Sequence, residues 1–334
     1  MNVAPRSIVR SKSLSEFEAA VIDAVKLDGE VSLKEVAERL GKSVSTLRAT
    51  LSKLEENGYI RFYPFVNVFR LGYSVFLFYF NPVQAQEDAV IATLKASDSV
   101  SWLARYSSES FRYCASFVCK TPLEYQRALE KLGREHGASF HSSATQVQTA
   151  LSIFSPKYLA PARANESFIT LESEGQVVEV DDTDRAILSG LLNNTYSSIR
   201  DLARQLELPH STVSERVTSL KARGVIERFV YLPNAAVLGM GVYTVTLKAR
   251  TLHPNLRAEL FKFCKTEPTV TVFLECFGAW DFEVGFEAPS REVVDAAVTR
   301  ISARFGKLLH VVSILKREER MKVLCYPFCA PGKG

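Results

Sequence analysis

Residues 220–231 read "LKARGVIERFVY", and a worn copy, "LEENGYIRFYPF", stands at 54–65. Shifted by 166 positions, "LKEVAERLGKSVSTLRATLSKLEENGYI" (33–60) overlays "IRDLARQLELPHSTVSERVTSLKARGVI" (199–226) without a gap. Ala37 falls on Ala203, Leu40 on Leu206, Ser45 and Thr46 on Ser211 and Thr212, Leu54 on Leu220, Gly58 on Gly224 and Ile60 on Ile226. The offset then drifts. Leu71 and Gly72 match Leu238 and Gly239 at 167, while Phe111 matches Phe282 and Pro156 matches Pro327 at 171. Drift of this kind follows from loop insertions between shared elements. The chain of 334 residues therefore reads as two modules in tandem, too few copies for a solenoid. Its length alone also exceeds what one hydrophobic core usually supports.

The second copy is the easier to read. "DDTDRAILSGLL" (181–192) opens with Asp181 to Asp184 as acidic capping residues before an apolar helical face. "SSIRDLARQL" (197–206) is a second short helix, with Ser197 or Ser198 as N-cap. After the connection "ELPH" comes "STVSERVTSLKAR" (211–223), whose Val213, Val217 and Leu220 share one face. Gly224 ends that helix and "VIERFVY" continues as a strand. Two short helices across a tight turn, then a strand, describe a winged helix-turn-helix.

The rest of the module alternates differently. Strand 242–250, helix 254–266, strand 269–277, turn 278–281, strand 282–288, helix 290–306 and strand 310–327 give the order β-α-β-β-α-β. That is the ferredoxin-like split, repeated more loosely from Ser74 to Pro156. The expected fold is α+β: two tandem modules, each a winged helix-turn-helix followed by a ferredoxin-like βαββαβ domain. The expected bounds are a basic tail at 1–13, a first head at 14–70, a first ferredoxin-like domain at 71–156, a linker at 157–180, a second head at 181–236 and a second ferredoxin-like domain at 237–328. A linker of that length, taken as flexible coil, reaches roughly 25–30 Å, enough to pass from one paired domain to the next head.

"STVSERVTSLKARGVIERF", "LGMGVYTVTLKA" and "FGAWDFEVGF" together resemble the Lrp/AsnC family of feast/famine transcription regulators. They are similar to its recognition helix, its entry to the second domain, and the glycine–aspartate turn between the middle strands. The resemblance covers nearly all of 181–327 and, more weakly, 14–156. It implies a regulator whose ferredoxin-like domains (RAM-type in this family) pair into dimers and often bind an amino acid between subunits. Joined covalently, the two halves would form an intramolecular pseudo-dimer that binds double-stranded DNA and self-associates through those domains.

A recognition helix points small polar or basic groups into the major groove, with cations at its flanks. The first head supplies Ser43, Ser45, Thr46 and Arg48, flanked by Lys42 and Lys53. The second supplies His210, Ser211, Thr212, Ser214, Arg216 and Lys221, with Glu215 among them. From Arg39 to Lys53 there are four cations and no acid, whereas from 200 to 223 five cations face three acids. Around the start of its recognition helix the first head is thus the more basic, although it lies further from the family pattern. Arg6, Arg10 and Lys12 in the leader suit either an arm along phosphate or a solvated tail. An effector would lie at Gly278, Ala279, Trp280 and Asp281, where glycine admits close approach and an aspartate receives an ammonium. A plain tight turn is the other reading of those four residues. The first module has "SSES" (107–110) there, lacking both glycine and aspartate.

Catalytic patterns are sparse, and neither a cofactor nor a metal is expected. His136 and His141 stand five apart, poorly placed for one helical metal face. The six cysteines are scattered and read as reduced, packed thiols; Cys325 and Cys329 lack a companion Cys/His cluster. Two alternatives stand beside the regulator. Sirohaem decarboxylases resemble the same family, pair two unlike modules and act on a tetrapyrrole, with a His- and Arg-rich stretch around the middle strands. The matching stretches here, "WLARYSSESFRYCASFV" and "FLECFGAWDFEVGF", contain no histidine. The second alternative is a scaffold that kept the fold and lost DNA binding. A cytoplasmic protein is expected: the most apolar run, "YSVFLFYF" at 73–80, is too short to span a bilayer, and the leader enters no signal-peptide core.

Overall fold

The computed structural model describes residues 14–136, 140–159, 167–193 and 198–323. The basic leader, Ser197, Cys325 and Cys329 lie outside them. The first head contains α1 (Glu16–Val25), α2 (Leu33–Arg39) and α3 (Val44–Glu56), followed by strand β1 (Ile60–Val66). Local chemistry sets each helix start. Ser15 and Glu18 form a reciprocal capping box on α1, and Ser32 and Ser43 cap α2 and α3. Gly58 adopts φ 72° just past α3, and Gly224 adopts φ 69° at the matching place in the second head, so both helices stop where an L side chain would be strained.

The first ferredoxin-like domain runs β2 (Ser74–Pro82), α4 (Glu87–Ala96), β3 (Val100–Ser107), β4 (Tyr113–Cys119), α5 (Pro122–His136), β5 (Phe140–Phe154). A further strand, β6 (Phe168–Glu172), follows. The second head holds α6 (Asp182–Asn193), α7 (Ile199–Gln205), α8 (His210–Ala222) and β7 (Ile226–Pro233). Its domain then runs β8 (Gly241–Ala249), α9 (Leu256–Thr266), β9 (Val270–Gly278), β10 (Phe282–Ala288), α10 (Arg291–Phe305) and β11 (Leu309–Val323). Both βαββαβ orders are present. Ser198 caps α7, while α8 begins one residue earlier than its sequence suggests, at His210 behind Pro209.

The two domains share one nine-stranded sheet in the order β2-β4-β3-β11-β8-β10-β9-β5-β6, and β2 also pairs with β5. Every strand but β6 therefore belongs to a closed ring. The two long strands close it. β5 pairs with β2 of its own half through 140–148 and with β9 of the other half through 146–153. β11 does the same with β8 and then β3. Each half thus covers the open edges of the other, which removes free strand edges.

Strand alternation divides the core. Phe76, Phe78 and Phe80 point outward under α4 and α5, and Val284 and Phe286 lie under α9 and α10. The opposite faces, including Leu77, Tyr79, Cys114 and Leu315, turn inward with Trp280. A lysine from each half ties it to the other. Lys157 Nζ donates to the Val270 carbonyl at 2.8 Å, and Lys322 Nζ donates to the carbonyl oxygens of Leu94 and Ser97 near the end of α4.

The heads are likewise joined. β1 pairs antiparallel with β7, Phe62 stacks on Phe229 at 5.4 Å, and α6 packs against β1 while α1 packs against β7. The strand after each recognition helix therefore finds its partner in the other head. The linker departs from the flexible coil expected of it. Residues 157–159 form a tight turn, β6 adds to β5, and Val178 N donates to Arg70 O. Hydrogen bonds to an available sheet edge outweigh the weak strand signal of "FITLE" in isolation.

Candidate nucleic-acid interface and the Gly278–Asp281 turn

Helix α3 presents its polar face at its N-terminus. Ser43, Ser45, Thr46 and Arg48 are exposed there, with Leu47, Leu51 and Leu54 buried beneath. Ser43 Oγ accepts from Thr46 N and lies 2.8 Å from both Ser45 Oγ and Thr46 Oγ1, so capping and display use one hydroxyl cluster. Lys42 Nζ stands 5.6 Å over the Phe17 ring. Lys53 donates to Glu18 at 2.8 Å, and that contact, with the Ser15 donors, holds the Glu18 carboxyl down to about 2. Arg39, Lys42 and Arg48 have no carboxylate partner among the described residues.

Helix α8 carries the same apolar stripe, Val213, Val217 and Leu220, but its cations are engaged. Arg216 Nη1 lies 2.6 Å from Asp181 and 3.3 Å from Asp184. Arg223 reaches Asp184 at 2.9 Å, and Lys221 pairs across the heads with Glu30. Asp181 also caps α6 by accepting from Asp184 N, and that bond, then Arg216, keeps its carboxyl below the usual range. His210, Ser211 and Ser214 are exposed and Thr212 half-buried, with Glu215 exposed among them. The structure thus brings the twelve expected contact residues onto two helix faces, and ties Arg216, Lys221 and Lys53 to acids.

The turn at 278–281 sits where the halves meet. Gly278 adopts φ 150° opposite Gln146 of β5, and a Cβ there would come within 2.5 Å of the Thr145 carbonyl oxygen. Ala279 is exposed. Trp280 is 2% exposed and plugs the seam between Tyr79, at 4.9 Å, and Phe111, at 6.1 Å. Its indole Nε1 donates to Glu283 at 3.0 Å, and Tyr79 from the other half donates to the second Glu283 oxygen at 2.9 Å. Burial pushes the Glu283 carboxyl up to about 7, against the pull of those two donors. Asp281 accepts from Lys248 at 3.1 Å and from Ala249 N at 2.7 Å. In the first module, Ser108 Oγ meets Ser313 Oγ at 3.5 Å and Ser110 O accepts from Asn81.

Sequence reading missed Glu283. Its signal was a pair of acids, Glu283 and Glu287, on the inward face of the apolar strand "FEVGFEA". Cys114, Cys119 and Cys264 are buried free thiols and Cys276 is half-buried; burial raises all four, so they are inert packing groups. His136 pairs with Thr93 Oγ1, and His141 is exposed. Among the described residues no three His, Cys, Asp or Glu side chains cluster as metal ligands, and no helix is long and apolar enough to cross a membrane.

A winged helix-turn-helix DNA-binding family model matches the chain twice, at 14–61 and 180–227. An uncharacterized HTH-type transcriptional regulator of Pyrococcus furiosus is 28% identical over 124 residues, 37% of this chain and 82% of that one. The HTH-type transcriptional regulator LrpC of Bacillus subtilis is 25% identical over 136 residues, 40% of this chain and 92% of its own. Among solved structures, the sirohaem decarboxylase NirDL in complex with an iron-uroporphyrin III analogue superposes with a TM-score of 0.62, covering 93% of each chain at 14% identity. Identity that low shows a shared two-module fold and nothing of activity.

Proposed function

The chain is a tandem-duplicated protein of the Lrp/AsnC family, and from that premise we propose that it is a sequence-specific transcription regulator acting as an intramolecular pseudo-dimer on double-stranded DNA. The observation that carries the reading is the interlocked pair of heads. One antiparallel ribbon, β1 with β7, holds two helix-turn-helix units at a set separation. A homodimer of such units reads equal half-sites about one helical turn, roughly 34 Å, apart. Unlike heads in one chain read an asymmetric site.

The Gly278–Asp281 turn is the proposed place for an amino-acid-like effector. Lys248 and Asp281, 3.1 Å apart and each about one-third exposed, offer opposite charges for the two ends of a zwitterion. Trp280 supplies the buried wall behind them. Self-association would use the ferredoxin-like surface next to this turn, where Phe277 is 75% exposed.

Competition between genomic fragments and bulk DNA, repeated across a salt series, tests the regulator. Particular fragments should win, with affinity falling steeply as salt rises. Equal binding to all fragments would end the reading.

A further inference from the structure

The two recognition helices differ in which of their cations are available, and the difference is built from named ion pairs rather than from net charge. We infer that the first head is the one that grips DNA, and that the second head's recognition helix is held neutral by its own chain. This rests on the DNA-binding reading above. In the second head, Arg216 and Arg223 both hold Asp184, whose side chain is only 2% exposed. Turning either guanidinium toward phosphate would weaken the neutralisation of a buried carboxylate, which folding resists strongly. Lys221, near the far end of α8, pairs with Glu30 of the other head through an exposed and therefore weak contact. What α8 then shows to solvent near its start is His210, Ser211, Ser214 and Glu215, a face with no available cation and one acid.

Matched positions in the first head run the other way. The partner of Ser214 is Arg48, and the partner of Glu215 is Ala49. The acid equivalent to Asp184 is Glu18, and its cation comes from Lys53, far along the helix, leaving the helix start untouched. Arg48, Lys42 and Arg39 are exposed without carboxylate partners among the described residues. Arg200 on α7 is matched by Lys34 on α2, so that pair does not separate the heads. Because β1 and β7 are one ribbon, docking the first head also sets where the second lies, and there it meets phosphate with a face that has hydroxyls, one imidazole and one acid, Glu215, but no available cation.

The test uses the full chain and a duplex that wild type selects, followed by anisotropy across a salt series and by footprinting. Arg48→Ala should weaken binding about tenfold and lower the slope of log K against log salt by about one. Ser214→Ala, at the matched place, should change affinity less than about threefold. Ser214→Arg should raise both affinity and slope, because it gives α8 the missing cation. Protection should centre on one half-site. Equal losses from Arg48→Ala and Ser214→Ala, or two equally protected half-sites, overturn the inference while leaving the regulator standing. Wild type that selects no duplex overturns both.

Discussion

At one seam between the halves, β5 meets β9 around Trp280; at the other, β11 meets β3 around Ser108 and Arg105. The first seam is dry. Trp280, Tyr79 and Gln146 are buried there, with a carboxylate between the two aromatic donors. At the second, Leu103, Ala104 and Tyr106 are also buried, but the contacts across it are polar: Ser108 meets Ser313, and Arg105 pairs with Glu319, both about half exposed. In a homodimer the two-fold axis makes such seams identical, so every substitution appears twice. Within one chain each seam changes alone. The same freedom lets the two heads carry different exposed residues on one apolar frame.

Removing the plug should have the largest effect on this contrast. Trp280→Ala leaves a large cavity and strips one donor from a buried carboxylate, an expected loss of about 3–5 kcal/mol in chemical denaturation. A change under about 1 kcal/mol would mean the aromatic seam is no stronger than the one held by polar contacts.

Next comes pH. The Glu283 carboxyl stands at about 7 in the fold against 4.5 in its ordinary state. Below pH 4.5 both folded and unfolded chains carry the proton, and no cost arises. Between 4.5 and 7 the unfolded chain ionises while the fold keeps the proton, so stability falls as pH rises, by about 3 kcal/mol over the window. Urea unfolding of Glu283→Gln should show a flatter profile across it, and an unchanged slope would assign the dependence elsewhere. The matched residue at the other seam is Arg112, which pairs with Glu87 at the surface and should produce no such slope.

Gly278→Ala should cost about 1–3 kcal/mol, because its φ is left-handed and its Cβ would press on the Thr145 carbonyl. Ser107, at the same place in the first module, should accept alanine within about 0.5 kcal/mol. Smallest is Arg105→Ala: breaking its exposed pair with Glu319 should lower the unfolding free energy by less than about 1 kcal/mol. A larger loss there would make the second seam a structural joint in its own right.

Much of the molecule was legible in its residues. The repeat, the cap at Ser198, the stops at Gly58 and Gly224 and both βαββαβ orders follow from local periodicity and backbone conformation, whereas the caps at Ser15, Ser32 and Ser43 came from the structure. So did the candidate contact faces, since a helix period and a glycine stop place Ser45, Arg48 and Ser214 on the surface. The ion pairs were not legible. Arg216 reads as a groove cation in sequence and as a clamp on Asp184 in the fold, because a separation of 32 positions along the chain conceals a contact of 3.3 Å.

Strand partnership divides the two levels most sharply. The residues of β5, β11, β1 and β7 determine that strands form and which side faces a core, because alternation is a property of each segment. They do not determine which edge meets which, since backbone hydrogen bonds carry no side-chain code. The tertiary structure decided that β5 would join β9, that β11 would join β3, that β1 would join β7, and that the linker would lend β6 to the sheet. It did so because pairing across the halves is what leaves no ring edge open and buries Trp280 and Glu283 between them.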